Sequence, residues 1–267
     1  MGRATQKIRT KYSKPKAIKF PDFYFERNLW NKGYKVIAGC DEVGRGCFAG
    51  PVIAGACVFS RGKKLTYKSL SLQGIKINDS KKLSCAQREK ADKWIKSNCM
   101  AWGIGVGSVA EINRTGIVKA TNSAFRRSIK ALMNTSDIRV DYLLVDAFYI
   151  PYIRNLSMPR NMHRSVNKKV KEKRLYKFSG RQMAIISGDE KSLSIAAASI
   201  IAKVYRDKLM ARLADFFPDY GWQNNKGYGT EIHRDAIIRN GLTRHHRKQF
   251  VQTFIKNSAF FPVRSKT

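Results

Sequence analysis

Three short stretches, 36–40 (VIAGC), 52–59 (VIAGACVF) and 142–145 (YLLV), are apolar at nearly every position. A strand with one wet face alternates apolar and polar residues, so strands that barely alternate must be covered on both faces. Two further strand-like runs fall at 102–109 and 183–186. Helical spacing fits 111–133, with Ile112, Ile117, Ala120, Ala124 and Phe125 on one face, and the alanine-rich stretch 192–217. Strands interleaved with helices predict the α/β class, with helices over both faces of one sheet.

Carboxylates close these strands. The first ends in Asp41-Glu42, the fourth in Asp146, and the fifth is followed by Asp189-Glu190. Strand ends near a change of topology are where such sheets gather functional groups, so Asp41, Glu42, Asp146 and Asp189 are expected to meet. Neighbours on a strand point to opposite faces, so Asp41 and Glu42 can share a site only if Glu42 lies beyond the strand. Gly44 and Gly46 would permit the turn. Oxygen ligands of this kind suit Mg²⁺ or Mn²⁺. Two such ions about 3.5–4 Å apart can activate water and stabilise a leaving oxygen in phosphodiester cleavage. The alternative is that each acid is an ordinary strand-end cap paired with a nearby lysine.

The chain carries 52 Lys+Arg against 19 Asp+Glu, a net charge of +33 over 267 residues. That surplus favours polyanionic partners, nucleic acid first. No apolar run is long enough to cross a bilayer, and no secretory signal opens the chain, so a cytoplasmic location is expected. Five cysteines without a C-x-x-C pair fit a reducing compartment rather than a disulfide framework. Residues 1–34 read as a basic, flexible arm, since 1–21 hold seven cations and no acid. Residues 35–220 read as the catalytic domain and 221–267 as a helical region with a basic tail. A stretch at 154–181 holds ten cations and one acid, Glu172. It reads as a surface insertion that adds phosphate contacts.

Several segments, in order, resemble ribonuclease HII, the type 2 ribonuclease H family. They are DEVGRGCFAGPVIAGACV (41–58), NDSKKLS (78–84), VAEINRTGIVKATNSAF (109–125), LLVDA (143–147), SGDEKSLSIAAASIIAKVYRDKLM (187–210), KGYGTEIH (226–233) and HRKQF (246–250). The resemblance implies a ribonuclease H-like fold: a mixed five-stranded sheet flanked by helices, with a helical C-terminal part. It implies a metal-dependent endonuclease that cuts RNA paired with DNA and single ribonucleotides embedded in duplex DNA, as in ribonucleotide or primer removal. By residue matching, Asp41, Glu42, Asp146 and Asp189 are its metal ligands. Gly44, Arg45 and Gly46 match the loop that senses the 2′-hydroxyl, and Tyr228 the tyrosine that packs on the neighbouring sugar. The enzyme is expected to act as a monomer, with a sliding clamp as an open choice of protein partner. Ala147 stands where the family often has glycine, and Cys47-Phe48 where a Pro-Leu or Pro-Trp pair is more usual.

Other residues are less constrained. Lys82 is a candidate for the scissile phosphate, with a solvated turn as the alternative. Ser199 and Lys203 lie four apart on one helix face, which suits either packing or phosphate contact. His245 and His246 read as part of a basic, phosphate-facing end, and Cys47 as a small buried residue. Two readings compete: a non-enzymatic basic nucleic-acid binder, and a ribonuclease H-like nuclease of another class. A pure binder gains nothing from acids placed against phosphates.

Overall fold

A computed structural model of the chain describes residues 20–63, 65–153 and 181–256. Five strands form one mixed sheet: β1 (Ile37–Val43), β2 (Val52–Val58), β3 (Ala101–Gly107), β4 (Tyr142–Asp146) and β5 (Gln182–Ile185). Their spatial order is β3-β2-β1-β4-β5. The β1–β2 and β2–β3 pairs are antiparallel, whereas β1–β4 and β4–β5 are parallel. Topology therefore switches at β1, the strand that carries Asp41 and Glu42.

Helices α1 (Tyr24–Asn31), α2 (Tyr67–Leu72) and α3 (Cys85–Asn98) precede β3, and α4 (Val109–Thr115) and α5 (Ile117–Ser136) follow it. The long α6 (Leu193–Phe216) leads to α7 (Trp222–Asn225), α8 (Glu231–Asn240) and α9 (Lys248–Lys256). Helix α6 covers one face of β1 and β2, and α5 covers the other face over β3 and β2. Leu193 to Ala202 are almost wholly buried, so the first half of α6 is enclosed on all sides, as suits a central helix built mainly of Ala, Ile and Leu. Glycines on β3 let α5 come close: a Cβ at Gly105 would overlap the Ala124 carbonyl.

Two sequence expectations change. The single helix expected over 111–133 is two helices, because Gly116 takes φ 83° and caps α4 with its N–H on the Ile112 carbonyl, 2.9 Å. Residues 1–34, expected as a flexible arm, include a folded helix. Phe23, Phe25, Leu29 and Trp30 are buried in the main core, so α1 belongs to the folded body. Its Glu26 is fully buried and accepts from Ser192 Oγ (2.7 Å) and Ser194 N (3.1 Å), capping the start of α6. Burial pushes the Glu26 carboxyl above its usual range. The charge run at 1–21 masked the aromatic spacing that follows it. Residues 1–19 and the basic insertion at 154–180 lie outside the described residues.

Candidate active site

Pairing of β1 with β4 ends at Cys40–Val145, and the next residues are Asp41 and Asp146. Beyond that point β1 keeps only β2 as a neighbour, so its β4 side opens into a cleft of about 490 Å³. Asp41, Glu42 and Asp146 line it, with Arg45, Lys203 and Tyr228 among the surrounding walls. Glu42 does not lie beyond the strand, as expected from the pleat. It is still paired, opposite Ala54, and the missing β4 neighbour is what lets both acids reach the opening.

The acids are held individually. Asp41 Oδ1 accepts from the Glu42 N–H, 2.7 Å, and the Ser199 hydroxyl also bonds its carboxylate. Glu42 Oε1 accepts from Arg45 Nη1 at 3.2 Å. Asp146 Oδ1 accepts from the Gly188 N–H at 2.6 Å. Asp189 is not at a strand end: it sits in the 3-10 turn Gly188–Glu190 after β5. That turn starts from Ser187 at φ 52°, while Ala147 takes φ 43°, a region where glycine is the cheaper residue.

Electrostatics tie the four together. Burial raises the pKa of Asp41, reinforced by Glu42, Asp146 and Asp189. Burial likewise raises Glu42 against the opposing pull of Arg45. Asp146 is raised by burial, and Asp189 to about 6 by burial and then by Asp146 and Asp79. Mutual repulsion of this kind calls for cationic company. Lys81 supplies part of it: burial opposes its charge, but Asp79, Asp189, Asp41 and Asp146 more than restore it.

These residues fit hard divalent ions. Their donors are all carboxylate oxygens, and Glu42 Oε2 is buried without a partner. Among the described residues, no three His, Cys, Asp or Glu groups stand close enough to cage an ion as they are placed. Ligation would require the local bonds of Asp41, Glu42 and Asp146 to be exchanged for metal.

Of the other expected residues, Gly44, Arg45, Tyr228, Ser199 and Lys203 line the cleft. Tyr228 is 40% exposed, so its ring is not a core residue. Ser199 is buried and hydrogen-bonds Ser80 at 3.1 Å. Lys203 is paired with Asp207 at 2.7 Å, and Arg88 approaches the same carboxylate at 3.5 Å. Lys82 is placed elsewhere: its ammonium bonds Glu190 at 2.6 Å, and its neighbour Lys81 lines the cleft. A 3-10 turn capped by Asp79 decides which lysine faces inward. Cys47 is fully buried.

His246 does not form part of the phosphate-facing end expected of the His245-His246 pair. His246 is 1% exposed and sits in a neutral network. Its Nδ1 accepts from the Thr243 N–H (2.9 Å), and its Nε2 faces His233 Nε2 (3.1 Å). His233 Nε2 also receives the Trp222 indole N–H (3.0 Å), and its Nδ1 meets the Tyr228 carbonyl (2.8 Å). Burial lowers both pKa values, His246 to about 4, with His233 and His245 opposing any added charge. A depressed histidine pKa means the unfolded chain binds the proton more readily. Its contribution is complete above pH 6.5 and is lost as pH falls from 6.5 toward 4. Between pH 7.5 and 4.5 the stability of the parent relative to His246→Gln, read from paired melting curves, should fall by on the order of 2 kcal/mol.

Known proteins agree with this architecture. A family model described as Ribonuclease HII matches residues 38–257. The chain belongs to the ribonuclease HII family. The ribonuclease HII of Wolbachia sp. subsp. Brugia malayi is 43% identical over 231 residues, covering 86% of this chain and 93% of that one. The ribonuclease HII of Alkaliphilus metalliredigens is 38% identical over 233 residues, covering 86% and 97%. Among solved structures, ribonuclease HII from Archaeoglobus fulgidus in its complex with PCNA superposes with a TM-score of 0.57. It is 24% identical, with 86% of this chain and 98% of that one covered, a likeness of fold. As a ribonuclease HII, the chain is an endoribonuclease that hydrolyses RNA in RNA–DNA hybrids, and its family works with divalent metal. Among the described residues no helix is long and apolar enough to cross a membrane.

Proposed function

We propose that this ribonuclease HII also cuts at single ribonucleotides embedded in duplex DNA, using Mg²⁺ or Mn²⁺ held by Asp41, Glu42, Asp146 and Asp189. The observation that supports this is that Asp41, Glu42, Asp146, Gly44, Arg45 and Tyr228 line one cleft, with Asp189 close enough to Asp41 and Asp146 to raise their charge cost. A bound divalent ion supplies Lewis acidity and a water of lowered pKa. The chain's own groups do the rest. Ser199 and the Glu42 N–H orient Asp41, and the Gly188 N–H orients Asp146. Lys81 and Lys203 line the cleft with positive charge suited to a phosphate. Lys82, expected at the scissile phosphate, is paired outside the cleft, and Lys81 takes that role in this reading.

Only the 2′-hydroxyl distinguishes ribose from deoxyribose at such a site, and it both donates and accepts. Main chain at Gly44 and Gly46 can approach it without a Cβ in the way. Tyr228 offers a flat, half-exposed face for the next sugar. A single strand with ribose, deoxyribose or 2′-O-methylribose at one position, paired with DNA, tests the reading. Cleavage at ribose alone supports it, and equal cleavage at deoxyribose refutes it. Tyr228→Phe should stay within about threefold of the parent on the ribose substrate, whereas Tyr228→Ala should lose on the order of 10–100-fold, the value of a base- or sugar-stacking ring. Matching losses in both would assign the role to the hydroxyl. The enzyme is read as a monomer. Any clamp-docking segment in the tails would lie outside the described residues.

A further inference from the structure

Arg206 on α6 and Arg247, just before α9, are both fully buried. Each guanidinium donates three hydrogen bonds, every one to a main-chain carbonyl. Arg247 bonds the carbonyls of Gly44 (2.6 Å), Arg45 (2.7 Å) and Gly50 (2.8 Å). Arg206 bonds those of Ala49 (3.1 Å), Pro51 (3.1 Å) and Lys226 (2.9 Å). Among the described residues neither has a carboxylate partner within ion-pair distance. Two unneutralised cations in one interior are expensive, and simple packing of α9 would be served as well by apolar side chains. What an apolar side chain lacks is a rigid fork of donors.

The fork fixes which way two peptides face. Peptide planes are trans, so a carbonyl and the N–H of the same plane point in opposite directions. With the Gly44 and Arg45 carbonyls drawn inward onto Arg247, the N–H groups of Arg45 and Gly46 face away from it. Among the described residues neither N–H has a main-chain partner. Arg206 extends the same frame: its guanidinium lies 5.9 Å from the Tyr228 ring centre and bonds the Lys226 carbonyl two residues earlier. The loop and the tyrosine are thus braced by adjoining arginines.

We propose that Arg247, backed by Arg206, is a positioning residue for ribose recognition: it orients the Arg45 and Gly46 amides toward the sugar and holds Tyr228 in register with them. This rests on the reading of the Gly44–Gly46 loop given above. Neither arginine touches substrate.

The test uses the full chain in an Asp146→Asn background, so that binding is read without cleavage. Affinities are measured for a duplex with one ribonucleotide and for the same duplex in DNA alone, alongside melting curves. Arg247→Lys keeps charge and most volume but not the planar fork. It should remain folded and hold its affinity for all-DNA duplex, while the preference for the ribonucleotide falls by about tenfold, the value of one charge-assisted hydrogen bond. Arg206→Lys approaches the frame from the other side and should show the same loss, so unfolding of one variant leaves the other decisive. If Asp146→Asn alone shows no preference for the ribonucleotide, the sugar-reading loop itself is wrong. A retained preference in folded Arg247→Lys or Arg206→Lys, with only melting temperature lowered, overturns the positioning role and leaves the loop reading standing.

Discussion

Replacing Asp41 or Asp146 by asparagine is expected to abolish cleavage while making the metal-free protein more stable at neutral pH. Loss of one ligand at a catalytic metal removes several kcal/mol of transition-state stabilisation, at least ~10³-fold in kcat. The stability change has the opposite sign. Burial first, and then Glu42, raises the pKa of Asp41, so the ionised form is strained in the fold. Such a group costs stability above its unfolded pKa and costs nothing where it is protonated in both states. Asparagine still accepts the Glu42 N–H that Asp41 accepts at 2.7 Å, so the local hydrogen bonds survive. The gain should be about 1 kcal/mol or more at pH 7.5 and vanish near pH 4. Divalent ions should raise the melting temperature of the parent and do so much less in the variants. Near-normal turnover of either variant at saturating metal would remove these residues from the metal site.

Gly44→Ala is expected to damage both fold and activity, and Gly46→Ala neither fold nor melting. Gly44 takes φ 86°, and a Cβ there would overlap Arg206 Nε, which is pinned by three carbonyls. The backbone strain costs about 1–2 kcal/mol and the overlap a similar amount, about 3 kcal/mol together. For a chain of this size that lowers the melting temperature by roughly 6–12 °C. Cleavage should fall at least ~100-fold, because the Arg45 amide moves with the loop. At Gly46 nothing lies within 4 Å of an added Cβ and φ is ordinary, so its melting temperature should match the parent. Any loss of activity in Gly46→Ala then reports contact between the loop and substrate. A Gly44→Ala enzyme with parental melting and turnover would show that the loop is not held as described.

The sequence showed a good deal of this. Unalternating strands at 36–40, 52–59 and 142–145 could only sit inside a covered sheet, and the acids that follow them mark its working edge. The alanine-rich helix at 192–217 was legible from its length and composition, but its central place was not. What escaped depended on geometry that residue type does not encode. A buried arginine looks the same in sequence as a solvated one, so Arg206 and Arg247 both passed as parts of quoted motifs. Lys81 and Lys82 are neighbours of equal chemistry, and only the 3-10 turn at Ser80–Lys82 separates their directions. His246 read as a phosphate-facing cation because nothing in the sequence shows that Thr243, His233 and Trp222 enclose it. Helix α1 was hidden by the charge run before it, although Phe23, Phe25, Leu29 and Trp30 carried an apolar signal within eight residues.

The central claim is that one cleft joins a carboxylate metal site to a sensor of the 2′-hydroxyl. The direct measurement is a duplex of DNA carrying one ribonucleotide, incubated with the full chain and Mg²⁺ or Mn²⁺, with the cut mapped to the nucleotide. The account predicts a single cut at a phosphate next to the ribonucleotide, dependent on added metal and absent from the all-DNA duplex. Tight binding without a cut, or cutting of the all-DNA duplex at a similar rate, would contradict it.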